Sequence, residues 1–531
     1  MKKIILTIFF LSSIGFATDY YVDGSVSSSG NGLSWATAWK TLANINWSVV
    51  DPGETVYISG GTSGKTYSGS LSPPTTEQGT ATNYIKIFIG KYAPDNTNHS
   101  GTVTIGGILL QTDASAQKYI HIKGFEVTGG NVNLDCSSCS SPPTLKGIIL
   151  DSLYIHDYGA QFGIRVIVKS DSLIIQNCII IDCLNPLGDC AGQRDCVHLN
   201  YWQNAHPINT IIRNCWMEMR SQDPSAHNDV IQSVHADGFT IYNNTFISDS
   251  VNSPEGGGMP LILSSNDDDQ NDYPPVILFN NFCYMGGLWY PGASDGRVLM
   301  TRHDGGGQST QQSPTYIFNN TLVNSGPRDQ VADQEYHIDF FSNNIDASFC
   351  LSAYRSNGWY NSLDATDAYG GHIYRDSTRH NLFWREGNDQ GFFGGSFYTT
   401  GSNTFSPSNW STWISGGGTG VNADPLFVDH FGHEPDQSAL TGNITASSPA
   451  IDAGENLTYL ANFLATTYNL PNDIKAAMLK DKNGIDRGSG SGWDIGAFEI
   501  QQGEPGANFK IMGVTVSKIQ GITPSKVYGI Q

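Results

Sequence analysis

The chain has 531 residues and a formal net charge of −21, from 49 acidic and 28 basic side chains. So negative a protein is poorly suited to bind nucleic acid or an anionic membrane surface. The same charge would repel a polyanionic glycan unless the binding site is locally basic or a bound cation intervenes, whereas neutral glycans stay compatible with it.

Residues 1–17 have the composition of a secretory signal peptide. Lys2 and Lys3 precede an apolar stretch from Ile4 to Phe16, and small residues stand before the expected cleavage point. This stretch is too short to span a bilayer and no other candidate span follows, so no transmembrane segment is expected. The mature protein is therefore predicted to be secreted, extracellular or held at the cell surface.

Residues 18–82 are predicted to form an N-terminal cap and the first coil of a repeat structure. A short amphipathic segment lies around Trp35 to Trp47. A helix at this place would cover the open edge of the first coil, which otherwise invites aggregation.

Residues 83–430 carry a recurring pattern: apolar, any, any, Asn, any, apolar. Its copies are Ile174–Ile179, Ile211–Trp216, Ile241–Phe246, Leu278–Cys283, Ile317–Leu322 and Phe340–Ile345, with Ile122–Val127 and Leu150–Ile155 keeping the apolar frame without the Asn. Self-similarity at spacings of this order, in short strand-like runs bounded by Gly, Asn and Asp, is typical of a solenoid. The predicted fold class is all-β, a parallel β-helix.

Equivalent positions on successive coils of such a helix stack ~4.8 Å apart. Asn tolerates the left-handed turn conformation, and its amide both donates and accepts hydrogen bonds. We therefore predict one structural turn column, an Asn ladder, made of Asn177, Asn214, Asn244, Asn281, Asn320 and Asn343. By the same stacking, Cys178 and Cys215 are predicted to be neighbours on adjacent coils. Nine cysteines in an exported chain further predict some disulfides and at least one free thiol.

Motifs at the two ends of the repeat region resemble those of a known group. They are Tyr21–Gly24, Gly32–Trp39 and Gly53–Ile58 at the start, and Ala423–Asp429, Ser447–Gly454 and Gly492–Glu499 at the end. Together with the repeats they resemble secreted bacterial right-handed parallel β-helix proteins of the pectate-lyase-like superfamily, over roughly Tyr20 to Glu499. The resemblance implies a right-handed helix with irregular C-terminal coils and a closing region at 431–502. Because this fold carries lyases, hydrolases, epimerases, adhesins and tailspikes, it does not select an activity.

Residues 503–531 form a tail of short repeats that differs from the rest of the chain. Ile511–Val514, Ile519–Ile522 and Val527–Ile530 recur every eight residues. Alternating apolar residues with Gly favour short strands or an adhesive tail, while a sorting or assembly tag and a disordered extension stay open.

Three coils of the repeat region concentrate groups that can transfer protons or bind a sugar chain. The candidate catalytic residues are Asp195, His198, His227, Asp229 and Arg302, and the candidate substrate-binding residues are Trp202, Gln232, His235 and Arg297. Aligning Asp195-x-x-His198 on Asp229-x-x-Gln232 would stack the two carboxylates one strand spacing, ~5 Å, apart. If the protein is an enzyme, its site is expected on these coils.

Two enzymatic hypotheses and one non-enzymatic hypothesis fit these residues. In a glycoside hydrolase, a pair of carboxylates flanks the scissile bond. In a polysaccharide lyase, a base removes the proton beside a uronate carboxylate while a cation stabilises the developing charge. Both would act on a polysaccharide in a groove on the outer face of the helix. The alternative is a non-catalytic cell-surface or adhesive protein that binds a surface glycan, which the repeat tail and the lack of a complete catalytic signature favour.

No cofactor is required by these patterns, and Ca²⁺ is the one candidate. Asp267, Asp269 and Asp272 lie in an acidic insertion between strands. Clustered carboxylates can supply the six to eight oxygens that Ca²⁺ takes, but the spacing lacks the EF-hand register. A solvated acidic loop is the simpler explanation of the insertion.

Overall fold

The computed structural model describes residues 17–111, 117–135, 144–159, 161–184, 194–200, 207–220, 228–233, 237–248, 261–265, 274–286, 298–303, 314–324, 332–334, 338–349, 363–365, 375–385, 393–395, 397–398, 404–407, 409–428, 441–500, 510–511 and 514–515. The predicted signal peptide lies outside the described residues except for its last position. Of the predicted repeat tail, the structure describes only an antiparallel pair, Lys510–Ile511 with Val514–Thr515. No helix among the described residues is both long and apolar enough to cross a membrane.

The first of three parallel sheets, sheet A, runs the length of the molecule. Its strands pair in chain order: Asp19–Val22, Thr55–Ile58, Ile85–Ile89, Ile120–Lys123, Ile149–Asp151, Ile174–Gln176, Ile208–Arg213, Asp237–Tyr242, Val276–Phe279, Thr315–Phe318, Phe340–Ser342 and Thr378–Arg379. Two short strands, Leu145–Lys146 and Ser170–Asp171, extend one edge. Neighbouring strands are separated by the rest of a coil, since parallel pairing needs a crossover connection.

Each coil continues into a second and a third strand, which form sheets B and C. Sheet B consists of Glu126–Thr128, Tyr154–His156, Ile179–Ile181, Trp216–Met219, Thr245–Ser248, Phe282–Met285, Thr321–Asn324, Ile345–Ser348 and Leu382–Arg385. Sheet C consists of Val132–Asp135, Phe162–Ile167, Asp195–Asn200, Ile231–Ser233, Leu261–Ser265, Leu299–His303, Ala332–Gln334, Leu363–Ala365 and Phe393–Gly395. The strands Lys65–Leu71 and Val103–Gln111 pass through both sheets at the start of the helix. The predicted parallel β-helix is confirmed.

The core is built from columns of apolar, mostly aliphatic side chains that repeat from coil to coil. One inward column of sheet A, each member at most 1% exposed, is Val56, Ile87, Ile122, Leu150, Ile175, Ile212, Ile241, Leu278, Ile317 and Phe341. Burying one such side chain contributes about 1.5–3 kcal/mol. Every coil therefore gains its stability by covering the coil next to it.

The N-terminal segment differs from the single helix that the amphipathic pattern suggested. It contains three 3-10 helices, Trp35–Thr37, Leu42–Asn44 and Trp47–Val49. Trp39 pairs with Val22 as an extension of sheet A, so the chain is extended where a helix would have had to continue. The segment still inserts Trp39, Leu42, Ile45 and Val50 into the core beside the first coil.

The turn between sheets A and B contains two columns of asparagine, where we predicted one. The first column has a left-handed backbone, with φ between 54° and 57° at Asn177, Asn214, Asn243, Asn280, Asn319 and Asn343. The second lies one residue later and points inward: Phe125, Leu153, Cys178, Cys215, Asn244, Asn281, Asn320, Asn344 and Asn381. The predicted single column was wrong because the Asn-Asn pairs allow either member to fit the frame, and a one-residue slip moves a side chain to the other face.

The inward column forms a continuous ladder of side-chain amides. The Nδ2 of Asn244 donates to Asn281 Oδ1 at 3.0 Å, that of Asn281 to Asn320 at 3.0 Å, that of Asn320 to Asn344 at 3.0 Å, and that of Asn344 to Asn381 at 3.2 Å. The same Oδ1 atoms accept the backbone N–H of the preceding coil's Asn, at 3.1 Å for Asn244 to Asn281. The ladder thus satisfies turn groups that are sealed from water.

Cysteines continue this ladder toward the N-terminus. The backbone N–H of Cys178 points at Cys215 Sγ, 3.4 Å away, and the backbone N–H of Cys215 donates to Asn244 Oδ1 at 2.9 Å. The predicted contact between Cys178 and Cys215 is therefore confirmed, and both are free, buried thiols. Cys183 is in a disulfide, and its partner is not among the described cysteines.

The left-handed column faces the closing region and holds it against the helix. Asn280 Nδ2 donates to the carbonyl of Lys480 at 2.7 Å, and Asn280 Oδ1 accepts from the buried guanidinium of Arg487 at 2.7 Å. Asn343 Nδ2 donates to the carbonyl of Glu455 at 2.8 Å, and Asn343 Oδ1 accepts the backbone N–H of Glu455 at 2.8 Å. The two asparagine columns therefore have different tasks, one inside the coils and one outside.

Described parts of the closing region cover the outer faces of sheets A and B on the later coils. The helices Thr458–Thr467 and Asn472–Met478 bury Leu460, Leu464, Ile474 and Met478 against outward residues of sheet A, namely Tyr242, Ile277, Phe279, Tyr316, Phe318 and Phe340. Ala497 and Phe498 pack on sheet B. The closing motif Gly492–Glu499 is thus structural, since Glu499 pairs with buried Arg487 at 3.1 Å.

The Asn ladder makes a testable contribution to stability. Replacing Asn281 by Ala removes the four hydrogen bonds of its side chain and leaves the buried N–H of Asn244 without its acceptor, a loss of about 1–3 kcal/mol per unsatisfied group. We expect a clear drop in the denaturant midpoint. Asn462→Ala, on the exposed face of the helix Thr458–Thr467, is the matched control and should stay within about 0.5 kcal/mol of the parent. Equal midpoints for the two variants would contradict the role of the ladder.

An ion triad on sheet B predicts a pH dependence of stability. His156 lies 3.0 Å from Glu126 of the preceding coil and 2.8 Å from Asp157. Burial alone lowers the pKa of His156, but its hydrogen bonds to the two carboxylates outweigh burial and raise that pKa above 6.5. The stabilisation should be fully present below pH ~6.5 and be lost as the pH rises through the raised value. Unfolding midpoints of the parent and His156→Gln should therefore converge at alkaline pH; a constant difference would contradict this.

Candidate functional site

The strand Asp195–Asn200 of sheet C carries the centre of the predicted cluster. Its alternation buries Val197 and Leu199 in the core and turns His198 to the outer face. The register pairs His198 with Arg165 on the preceding strand and with Gln232 on the following one. The predicted alignment of Asp195-x-x-His198 on Asp229-x-x-Gln232 is thus present, and it produces an outward row of Arg165, His198 and Gln232.

Asp195 and His198 form a hydrogen-bonded pair. Asp195 Oδ2 lies 3.0 Å from His198 Nδ1, and its Oδ1 accepts the backbone N–H of Asp229 at 3.1 Å. A carboxylate only accepts, so this bond places the ring proton of neutral His198 on Nδ1 and leaves Nε2 as an acceptor. Asn200 Nδ2, 3.3 Å away, is positioned to donate to Nε2. Phe162 stacks on the imidazole with a centroid separation of 4.2 Å.

The electrostatics of Asp195 are set by its burial. The carboxyl is 0% exposed. Burial raises the pKa of Asp195 to about 6; the bond to His198 opposes the rise and the charge of neighbouring Asp229 adds to it. Asp195 therefore ionises just below neutral pH, where its charge orients the imidazole.

The two carboxylates are fully buried, and the imidazole is almost fully buried but keeps a small accessible surface. Asp229, like Asp195, is 0% exposed, whereas the His198 side chain keeps 8% of its surface accessible. Carboxyl groups that act on opposite sides of a glycosidic bond must both reach the substrate. In the described arrangement, His198 is the member of the cluster placed to meet a substrate, with Asp195 behind it.

A buried shell supports this pair. Tyr158 Oη donates to the backbone carbonyl of Asp195 at 3.0 Å. The backbone N–H of Arg194 donates to Asn228 Oδ1 at 2.8 Å, and the Arg194 guanidinium bonds the carbonyl of Tyr158. These contacts join three successive coils around Asp195, which restricts the rotation of its carboxyl group.

Arg165 is a site residue that we did not predict from the sequence. Its guanidinium is held by Asp135 at 2.9 Å and its side chain is 27% exposed. The signal was present, because the alternation of Ile164 and Val166 matches that of Val197 and Leu199 and so sets Arg165 beside His198. The Asn repeat lies at the turn between sheets A and B, so it did not reveal the register of the sheet C strands.

Of the other predicted site residues, the structure describes the backbone of Arg302 further along sheet C, and the rest lie outside the described residues. The backbone of Arg302 pairs with Ser264 in the column of Asn200, but three strands further along, roughly 14 Å at one strand spacing per coil. Two strands of sheet C therefore lie between the strand of His198 and that of Arg302, and a shared role for the two residues stays a prediction. His227, Trp202, His235, Arg297, Asp267, Asp269 and Asp272 lie outside the described residues. Within the described ranges, no group of three or more His, Cys, Asp and Glu side chains is placed to hold a metal ion.

Comparison with known proteins gives likenesses in structure only. No family model matches the chain, and no curated protein matches it. Among solved structures, pectate lyase Pel9A matches at 15% identity and a TM-score of 0.43, over 92% of this chain and 98% of its own. A rhamnogalacturonan lyase matches at 12% identity and 0.36, over 81% and 96%. The catalytic unit of a GH87 α-1,3-glucanase from Streptomyces thermodiastaticus strain HF3-3 matches at 15% and 0.35, over 74% and 71%. Values this low assign no activity and no residue role.

The hydrogen-bond pattern predicts the tautomer of His198. With histidine labelled by ¹⁵N, long-range proton–nitrogen spectra at pH 7 should show the His198 ring proton on Nδ1, and His198→Gln identifies the signal by its loss. Asp195→Asn should shift the proton toward Nε2, because the amide can donate to Nδ1. Asp171→Asn, which removes a carboxylate bound to Lys146 instead, should leave the signal unchanged. An Nε2–H tautomer in the parent would contradict the assignment.

Proposed function

We propose that this protein is a secreted polysaccharide lyase that acts on the outer face of sheet C. The observation that carries the proposal is the buried Asp195 bonded to Nδ1 of His198, which aims the other ring nitrogen away from the carboxylate. A histidine oriented in this way is a suitable general base near neutral pH.

The reaction that fits is β-elimination on a uronate-containing chain. His198 Nε2 removes the proton from the carbon beside the uronate carboxylate, that electron pair forms a carbon–carbon double bond, and the bond to the leaving sugar oxygen breaks. The leaving oxygen takes up a proton, so the products are an unsaturated uronate and a shortened chain. For Nε2 to accept the proton, the substrate must displace the Asn200 amide that now lies 3.3 Å away.

Arg165 supplies the positive charge that this chemistry requires. It lies next to His198 in the outward row and is held in place by Asp135. A guanidinium matches a carboxylate in shape and charge, so Arg165 would bind the uronate and stabilise the charge that develops when the proton leaves. Asp195 positions His198 and stabilises the imidazolium after proton transfer.

Elimination is favoured over hydrolysis by where the carboxylates lie. Hydrolysis by a carboxylate pair would need Asp195 and Asp229 to face the sugar, and both are fully buried. Secretion is part of the proposal on account of the N-terminal seventeen residues. The non-catalytic glycan-binding protein remains the competing outcome of the experiment below.

The test is digestion of uronate polymers, followed by ultraviolet absorbance of the unsaturated product and by new reducing ends. His198→Ala should lower kcat by about 10²–10⁴, as expected for loss of a general base. Arg165→Gln should lower kcat by about 10²–10³ through loss of charge stabilisation. His380→Asn, at the turn between sheets A and B, is the matched histidine control and should keep full activity.

Three outcomes would overturn the proposal. Reducing ends without unsaturated product would show a hydrolase. Full activity of folded His198→Ala would move the site elsewhere. Binding of polymers without any degradation would favour the non-catalytic protein.

A further inference from the structure

The outer face of sheet A changes character along the helix. On the later coils its outward residues are apolar and are covered by the two closing helices. On the earlier coils the same columns carry charged and aromatic side chains. From coil to coil, one column reads Thr55, Lys86, His121, and the next reads Tyr57, Phe88, Lys123. The closing helices pack on apolar residues, and the earlier coils of sheet A do not present a matching apolar surface.

The cationic groups on these coils form one surface, which we call the lysine face. It comprises Lys86, Phe88, Tyr92, Lys118, His121, Lys123 and Lys146, each at least partly exposed. Lys86 pairs in register with His121, and Lys118 with Lys146, so the two lysines of the second pair adjoin across neighbouring strands. Lys123 Nζ lies 4.8 Å from the centre of the Tyr92 ring, and Phe88 packs edge-on against Tyr92 at 6.0 Å.

The local charge of the lysine face is opposite to that of the whole chain. Its four lysines are accompanied by three carboxylates: Asp19 near Lys86, Asp151 near both Lys123 and His121, and Asp171 near Lys146. Asp151 also accepts hydrogen bonds from Ser152, Gln176 and Asn177, so neutral groups share in balancing its charge. In a chain of net charge −21, a surface where cations outnumber carboxylates is a place where a polyanion can approach.

We propose that the lysine face binds a uronate-containing polysaccharide, as a second contact separate from the row of Arg165, His198 and Gln232 on sheet C. Charge complementarity identifies the ligand class, because the carboxylates of such a chain recur with its sugar units. Cations on successive strands recur at ~4.8 Å, a step comparable with one sugar unit. The apolar faces of Phe88 and Tyr92 suit the carbon–hydrogen faces of the sugar rings.

The ligand class rests on the proposed function, but binding at the lysine face requires no catalysis. Sheets A and C are different sides of one solenoid, so a long polymer would have to bend round the helix or cross-link copies to occupy both. A short oligosaccharide held at His198 would not touch the lysine face. Loss of the lysine face should therefore weaken binding of polymers and leave turnover of short oligosaccharides unchanged.

The test compares two triple variants of equal net charge in the full-length chain. Lys86→Gln, Lys118→Gln and Lys146→Gln remove cations from the lysine face but keep the Lys123–Asp151 contact. Lys40→Gln, Lys475→Gln and Lys480→Gln are the matched control, outside that face. Retardation in gels containing polygalacturonate, alginate, a neutral glucan or single-stranded DNA measures affinity, and oligouronide turnover measures the catalytic site.

The lysine-face triple variant should bind polyuronate about tenfold more weakly, as expected for three exposed ionic contacts, with the control within twofold of the parent. Equal retardation of the two triples would overturn the proposal. Equal binding of DNA would show a general polyanion surface, and equal binding of neutral glucan would remove the role of the carboxylates. If polyuronate binds through these lysines but is never degraded, the proposed lyase activity is refuted and the lysine-face proposal stands. If polyuronate is degraded but the lysine-face triple variant binds it as tightly as the parent, the lysine-face proposal is refuted and the lyase activity stands.

Discussion

In-register parallel pairing along the helix axis is the constraint on which the rest of the structure depends. Because each strand pairs with the equivalent strand one coil away, every side chain meets its own counterpart at ~4.8 Å. A residue type that stacks well on itself is then favoured in every coil. Aliphatic side chains fill the inward column of sheet A for this reason, and the flat rings of Tyr242, Phe279 and Phe318 stack outside it at 4.7 and 5.3 Å.

The turn between sheets A and B shows how this constraint separates two roles for one amino acid. The left-handed backbone at Asn280 presents its amide outward, where it binds Lys480 and Arg487 of the closing region. Asn281, one residue later, points inward and joins the ladder. At this one turn, Asn281 therefore links neighbouring coils, and Asn280 links the coil to the closing region. Toward the N-terminus, Cys178, Leu153 and Phe125 occupy the inward column, so there the amide ladder gives way to thiol and apolar contacts.

The candidate site uses the same stacking for chemistry. The Asp195 carboxylate accepts the backbone N–H of Asp229 from the next coil, and the backbone carbonyl of Asp195 accepts the hydroxyl of Tyr158. Burial raises the pKa of Asp195 to about 6, a cost that its bond to His198 partly offsets. Adjacent coils bring Arg165 and Gln232 to either side of the imidazole. A rigid sheet thus supplies the orientation that loops would have to supply in other folds.

The sequence by itself determined the repeat, the strand character and hence the class of fold. An apolar pattern that recurs in every coil can be recognised from local residue spacing, without knowing which distant residues touch. It also predicted that Asp195, His198 and Asp229 would come together, since matched spacing within two neighbouring coils sufficed. The tertiary structure alone decided which asparagine of each pair faces inward, as both members fit the same frame and a slip of one residue inverts the side. It also decided that the carboxylates are buried beneath His198, that Arg165 lies beside it, and that the closing helices leave the lysine face uncovered. Those outcomes depend on register, burial and long-range packing, which local spacing does not record.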